Sequence, residues 1–285
     1  MEEMILSDAD LASMEGIDVD SWVHKYIIDE ISANIDSDRG SCYFYQQDGV
    51  LYWGPIWDYD MTFASSSRNM EPVGFVAKNR YKSKDIIAPY YGVLYENQSF
   101  RNRVKEVYTE VYLPLLEELL DGGIERYAAD IEAAAAMNQL RWPSANPMGN
   151  SIDTLQQYVS TRKDFLSSAW VEGKEYCTVH FEANPGEFYY NASVEKGGIL
   201  KTERIDLENT VWLVEQTGQV FDPCQPVYKD MVLIKKPAAQ ANQVAPVVAM
   251  QDLIIAASLC GMAVLLGGLI WVDVRRRRKE CGNEK

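Results

Sequence analysis

Twenty consecutive residues without a charge, Leu253 to Val272, constrain this 285-residue chain more than any other stretch of it. A run of about that length spans a hydrocarbon core as a helix, and here Asp252 and Asp273 bracket it while Trp271 stands where an interfacial anchor sits. Arg275 to Arg278 and Lys279 follow at once. Basic residues beside a span hold that side in the cytoplasm, so residues 1–252 are expected outside the membrane. A buried core helix, the other reading of such a run, leaves the basic tail unexplained. Met1-Glu2-Glu3-Met4 has neither the basic start nor the apolar run of a signal peptide, so this orientation leads us to expect a missing upstream segment. Tail-anchored insertion would instead push four arginines across the membrane, against the charge bias.

The formal net charge of −15 is uneven, because five cations sit in the tail and everything before it is strongly acidic. Nucleic acid is therefore not expected as a partner. A hydrophobic content of 47% is ample for real cores in a chain long enough for one large domain and a small one. The cysteines are sparse: Cys42, Cys177, Cys224, Cys260 and Cys281 fall in different settings, and only Cys177 and Cys224 share a candidate domain. They either pair across a loop of nearly fifty residues or remain reduced core thiols. Cys260 lies inside the uncharged run and Cys281 in the tail, where the choice is between an inert thiol, the default, and S-acylation. With His24 and His180 isolated and no CxxC pair, zinc is not expected.

Residues 20–34 place Trp22, Tyr26, Ile27 and Ile31 on one helical face, with Asp20 or Ser21 as the cap. Cys42–Tyr45 and Val50–Trp53 then read as strands joined through Gln46-Gln47-Asp48-Gly49, a hairpin that Gly54-Pro55 ends. The Gly/Ser/Asn-rich text from Thr62 to Pro89 reads as an irregular loop. Helices are expected over Phe100–Leu120 (Val104, Val107, Val111 and Leu115 in register), Ile124–Leu140 and Ile152–Trp170. Residues 176–236 change to strand-and-turn text, and the Ala, Gln, Pro and Val of residues 237–248 suit an extended spacer.

If the hairpin is symmetric about residue 48, Asp36 meets Asp60 and Asp38 meets Asp58 at its open end. Carboxylates brought together repel unless a cation sits among them, and hard divalent cations take oxygen ligands, which points to magnesium. Acidic residues at strand ends are also ordinary solvated turn residues. The order helix, Asp, hairpin, Asp matches kinase-like sites, where one Asp orients the acceptor hydroxyl and another holds the metal on ATP. A glycosidase with paired carboxylates and an aromatic sugar platform fits the residue types as well.

The wording of the motif favours the kinase. Ala33-Asn34-Ile35-Asp36-Ser37, Ser41-Cys42-Tyr43-Phe44-Tyr45 and Gly54-Pro55-Ile56-Trp57-Asp58-Tyr59-Asp60-Met61-Thr62-Phe63 closely resemble the C-terminal half of the CotH spore-coat kinase family, whose pattern is roughly N-x-D-S, YYLY, PWD-x-D-x-x-FG. The likeness continues through Leu94 to Arg101, Arg141-Trp142 and Arg162 to Leu166. It implies an atypical protein-kinase-like fold over residues 1–172 and phosphate transfer from Mg2+ and ATP to an exported or surface protein. Asp36 would be the catalytic residue, Asn34 and Ser41 cofactor-binding, and Asp58 and Asp60 the metal ligands. Ser41 stands where many members carry Asn, Ala64 where Gly usually follows, and the family's nucleotide-contacting N-terminal lobe has no counterpart in these residues.

Residues 174–236 resemble the Listeria-Bacteroides type of surface repeat through Val179 to Gly186, Val194 to Gly198 and Pro226 to Leu233, which implies a small β-grasp-like module on a Gram-positive surface. The whole is read as an α+β protein: kinase-like part, β module, spacer over 237–252, transmembrane helix over 253–272 and cytoplasmic tail over 273–285. A non-catalytic surface scaffold or adhesin is the competing function.

Overall fold

The computed structural model describes residues 14–37, 40–63, 71–77, 90–143, 152–185, 187–202, 205–207 and 210–236. The expected spacer, membrane span and basic tail, and Asp38 and Ala64, lie outside the described residues. Among those described, no helix is long and apolar enough to cross a membrane. The class is α+β, and the chain divides into two compact units between Glu175 and Tyr176.

Unit 1 is built on helix α1 (Val19–Ser32). Its cap is Asp18, not Asp20 or Ser21: the Asp18 carboxylate accepts from the Ser21 amide at 2.7 Å. Leu51 fixes that start, its amide donating to Gly16 O and its carbonyl accepting from Asp18 N at 2.8 and 2.9 Å. Tyr26 is fully buried, with the rings of Tyr91, Tyr95, Phe100 and Trp170 within 5.0–5.8 Å. Strands β1 (Phe44–Gln47) and β2 (Val50–Trp53) form an antiparallel hairpin closed by Asp48-Gly49 alone. Both turn residues take positive φ (51° and 82°), the geometry that matches the strand twist and that Asp-Gly favours. The strand therefore begins two residues later than the aromatic run suggested, and paired residue numbers sum to 97.

Helices α2 (Tyr90–Glu96) and α3 (Gln98–Val107) follow, then a π-helical turn at Tyr108–Tyr112 and α4 (Leu113–Glu118). The π turn corrects the expected register. One extra residue per turn rotates everything beyond it, so Val111 and Leu115 face solvent while Tyr108 and Leu116 take the buried places. The chain leaves helical geometry at Asp121 and Gly122 (φ 84°) before α5 (Ile124–Arg141), and α6 (Ile152–Leu166) ends in a further π turn, Ser167–Val171.

From α6 the Arg162 guanidinium, 1% exposed, joins α1 to the segment before α2. Its Nε donates to Glu30 O at 2.6 Å, one terminal nitrogen to Glu30 Oε2 at 2.8 Å, and the other to the carbonyls of Pro72 and Gly74. The Val76 amide donates to the same Glu30 oxygen at 2.8 Å. A guanidinium has donors enough for all these acceptors, which a lysine would lack.

Unit 2 holds β3 (Tyr176–Asn184), β4 (Glu187–Glu195), β5 (Gly198–Ile199), β6 (Trp212–Val214), β7 (Pro226–Val227) and β8 (Met231–Lys235). The main sheet runs β4-β3-β8-β6, with β3 and β8 parallel at its centre. Cys177, Val179 and Phe181 alternate into the core with Trp212, Val227 and Leu233. Cys177 lies in this core and Cys224 is half-buried outside it, and the structure does not bond the two to each other.

Candidate functional site

Helix α1 ends because Ala33 turns left-handed (φ 51°), its amide reaching back to the carbonyls of Asp29 and Glu30. That aims Asn34 inward. It is 5% exposed, and its Nδ2 donates to Asp29 Oδ1 at 2.9 Å while its Oδ1 accepts the Asp36 amide at 3.0 Å. Both ends of the side chain thus hold backbone and helix, and Asp36, half-buried, follows in a fixed loop.

The other acidic segment leaves the hairpin. The ladder ends where Gly54 N donates to Tyr43 O at 2.9 Å, because Pro55 has no amide to continue it. Ser41 Oγ donates to Asp58 Oδ2 at 2.7 Å, and Asp38, expected opposite Asp58, lies outside the described residues. Asp58 and Asp60 are exposed, with the half-buried Tyr59 between them. Tyr59 turns its hydroxyl back to Asp29 Oδ1 at 2.5 Å, and Phe63 N closes the segment on Ser32 O at 2.8 Å.

Four residues that frame this region, Ala33, Ser41, Asp58 and Phe63, have positive φ (51° to 63°) without being glycine. Such backbone costs roughly 1–2 kcal/mol per residue and persists only where surrounding contacts over-determine it, which is common at functional sites.

Beneath the loops lies a buried polar cluster that sequence reasoning missed. The Asp29 carboxylate, fully buried, accepts from Lys25 Nζ at 2.6 and 2.8 Å and from Tyr91 OH at 3.0 Å besides Asn34 and Tyr59. Burial first, and then the adjacent Asp29 charge, push the hydroxyls of Tyr59 and Tyr91 far above the ordinary tyrosine range, so both stay protonated donors. The one signal available was an acid four residues after a lysine on a helix otherwise rich in apolar residues.

Among the described residues, no three His, Cys, Asp or Glu side chains gather closely enough to hold a metal ion together. Two carboxylates on one short exposed segment, one already paired to a hydroxyl, are nonetheless a donor set that suits magnesium. That ion takes hard oxygen ligands and commonly completes its shell with water and phosphate rather than with a full protein cage.

The family model described as CotH kinase protein matches residues 9–166, more than half of the chain. The chain belongs to the CotH kinase family. The matched span contains Asn34, Asp36, Ser41, Asp58 and Asp60 together with the Asp29 cluster and Arg162. No curated protein and no solved structure matches the chain.

Proposed function

We propose that this CotH-family chain is a membrane-anchored protein kinase that transfers the terminal phosphate of Mg-ATP to exported or surface proteins. The observation that carries the reading is the Ser41 to Asp58 pair at 2.7 Å at the exposed base of the hairpin, within the residues matched to the family. In this reading Asp36 accepts the proton of the acceptor hydroxyl as its oxygen bonds to the terminal phosphorus, and the bond to the leaving diphosphate breaks. Asp58 and Asp60 would hold the metal, whose chemistry is to neutralise phosphate charge. Ser41 orients the Asp58 carboxylate by its hydrogen bond, and Asn34 fixes the Asp36 backbone.

Leu253–Val272 is the proposed anchor, with the basic tail cytoplasmic and the remainder outside. In unit 2 the first and last strands lie parallel at the centre of the sheet, with the second strand outside the first. That order is the one a β-grasp uses and supports the reading of a surface spacer.

A non-catalytic scaffold or adhesin is favoured by one observation: both ends of the Asn34 side chain are occupied by Asp29 and by the Asp36 amide. The test is calorimetric titration of the full chain, in detergent, with Mg-ATP, followed by phosphate transfer to a generic protein acceptor, alongside Asp36→Ala and Asp58→Ala/Asp60→Ala. Binding lost in the double variant, and transfer lost in both, supports the kinase. A folded wild-type chain that does not bind Mg-ATP is the scaffold.

A further inference from the structure

A buried ion pair contributes little net stability, since removing two charges from water costs about what their attraction returns, and an apolar pair of the same shape often does as well. Lys25 and Asp29, both almost completely buried, therefore need a reason beyond holding α1 together. Their surroundings supply one. Asp29 Oδ1 accepts from Asn34, whose other end holds the Asp36 amide, and from Tyr59, which lies between Asp58 and Asp60. A single oxygen atom thus ties together two acidic segments that are more than twenty residues apart in sequence. Oδ2 accepts from Tyr91 of α2, which belongs to neither segment. Lys25 bridges both oxygens, and its ammonium stands 5.4 Å from the centre of the Tyr59 ring, so it also backs the segment on which Tyr59 lies.

We propose that Asp29 is a positioning residue: through Oδ1 it fixes the Asn34–Asp36 loop and the Asp58–Asp60 segment relative to each other. The catalytic side of this inference rests on the phosphotransfer reading of Asp36, Asp58 and Asp60, and its structural side does not. The alternative is that Asp29 merely satisfies buried donors. The two tyrosines separate these ideas, because Tyr59→Phe and Tyr91→Phe each delete one hydrogen bond to the same carboxylate, and only Tyr59 leads to the acidic segments.

The test uses the full chain with Tyr59→Phe, Tyr91→Phe and Asp29→Asn. Amide hydrogen exchange is expected to quicken over residues 58–63 in Tyr59→Phe, over both 34–36 and 58–63 in Asp29→Asn, and over neither in Tyr91→Phe. In phosphate transfer, Tyr59→Phe is expected to lower kcat about tenfold and to raise the Mg2+ concentration for half-maximal rate, with KM for ATP unchanged, the scale expected for one hydrogen bond to a charged group. Tyr91→Phe keeps wild-type values. Equal exchange in the two tyrosine variants overturns the proposal, as does an unchanged kcat in Tyr59→Phe of an active enzyme. Tyr59→Phe and Tyr91→Phe keep the test decisive if Asp29→Asn does not fold. The expected exchange pattern in a wild type that neither binds Mg-ATP nor transfers phosphate upholds the tie through Asp29 and overturns the phosphotransfer reading instead.

Discussion

The two units of this chain are stabilised in different ways. Unit 2 has the plain interior of a small β module, with Val179, Phe181, Trp212 and Leu233 alternating inward; its buried charged residues among those described are Glu182 and Lys236. Unit 1 buries Lys25, Asp29, Glu30, Asn34 and Arg162 through its centre and keeps four non-glycine residues in left-handed backbone close by. A chain that needed only to fold would not use so costly an interior. Of these groups Lys25, Asp29 and Asn34 contact the segments that carry Asp36, Asp58 and Asp60, while Glu30 and Arg162 hold the Pro72–Val76 segment to α1. Where a protein sets aside cheap apolar packing for ion pairs and backbone strain is where its function is to be sought.

The sharpest way to break this comparison is through catalysis. Asp36→Ala is expected to reduce phosphate transfer by about 10²–10⁴-fold, the range for losing a positioned acid or base, with the melting temperature of unit 1 nearly unchanged. An equal loss from a substitution in unit 2 would show that the two units do not divide the work as described. Next in size is Arg162→Met. It leaves Glu30 as an uncompensated buried charge and is expected to destabilise unit 1 by about 3–5 kcal/mol, measured by denaturant titration with probes in each unit. Phe181→Ala is the counterpart in unit 2, costing about 3–5 kcal/mol there through the cavity it opens and leaving Mg-ATP binding as in the wild type.

Alkaline pH gives a smaller effect. Burial raises Tyr26, Tyr59 and Tyr91, and Tyr112 is pushed up to about 12 from its ordinary 10.0. Their folded values lie above their unfolded ones, so the contribution to stability is complete below about pH 10 and is lost as pH rises past it, where the unfolded chain releases protons that the folded one retains. Denaturation midpoints of unit 1 are expected to fall between about pH 10 and 12, and a flat profile would sink this account. Smallest of all is Asp18→Ala. Removing the cap of α1 is expected to cost about 1 kcal/mol in the same titration.

The hairpin was legible in the sequence because Asp-Gly turns and aromatic, β-branched strands are local signals, and α1, the later helices and the β module were legible for the same reason. The motif from Asn34 to Phe63 stood out by its wording, and the family match includes it. What misled were inferences that depended on counting through an unseen irregularity. The two-residue turn moved the strand register, and the π turn at Tyr108–Tyr112 put Val111 and Leu115 outside. Each is a shift of one or two residues, small in sequence and large in the direction in which a side chain points.

Residue type and period by themselves determined the class, the hairpin, the helices and the acidic motif, since those follow from forces between neighbours along the chain. Only the tertiary structure decided which groups share a partner. Asp29 is one more acid on a helix until Asn34, Tyr59 and Tyr91 fold onto it, and Arg162 is one more exposed-looking cation until Glu30 and the carbonyls before α2 surround it. The physical reason is that burial converts a weak, solvent-screened interaction into a strong and directional one, and burial is settled by segments far apart in sequence.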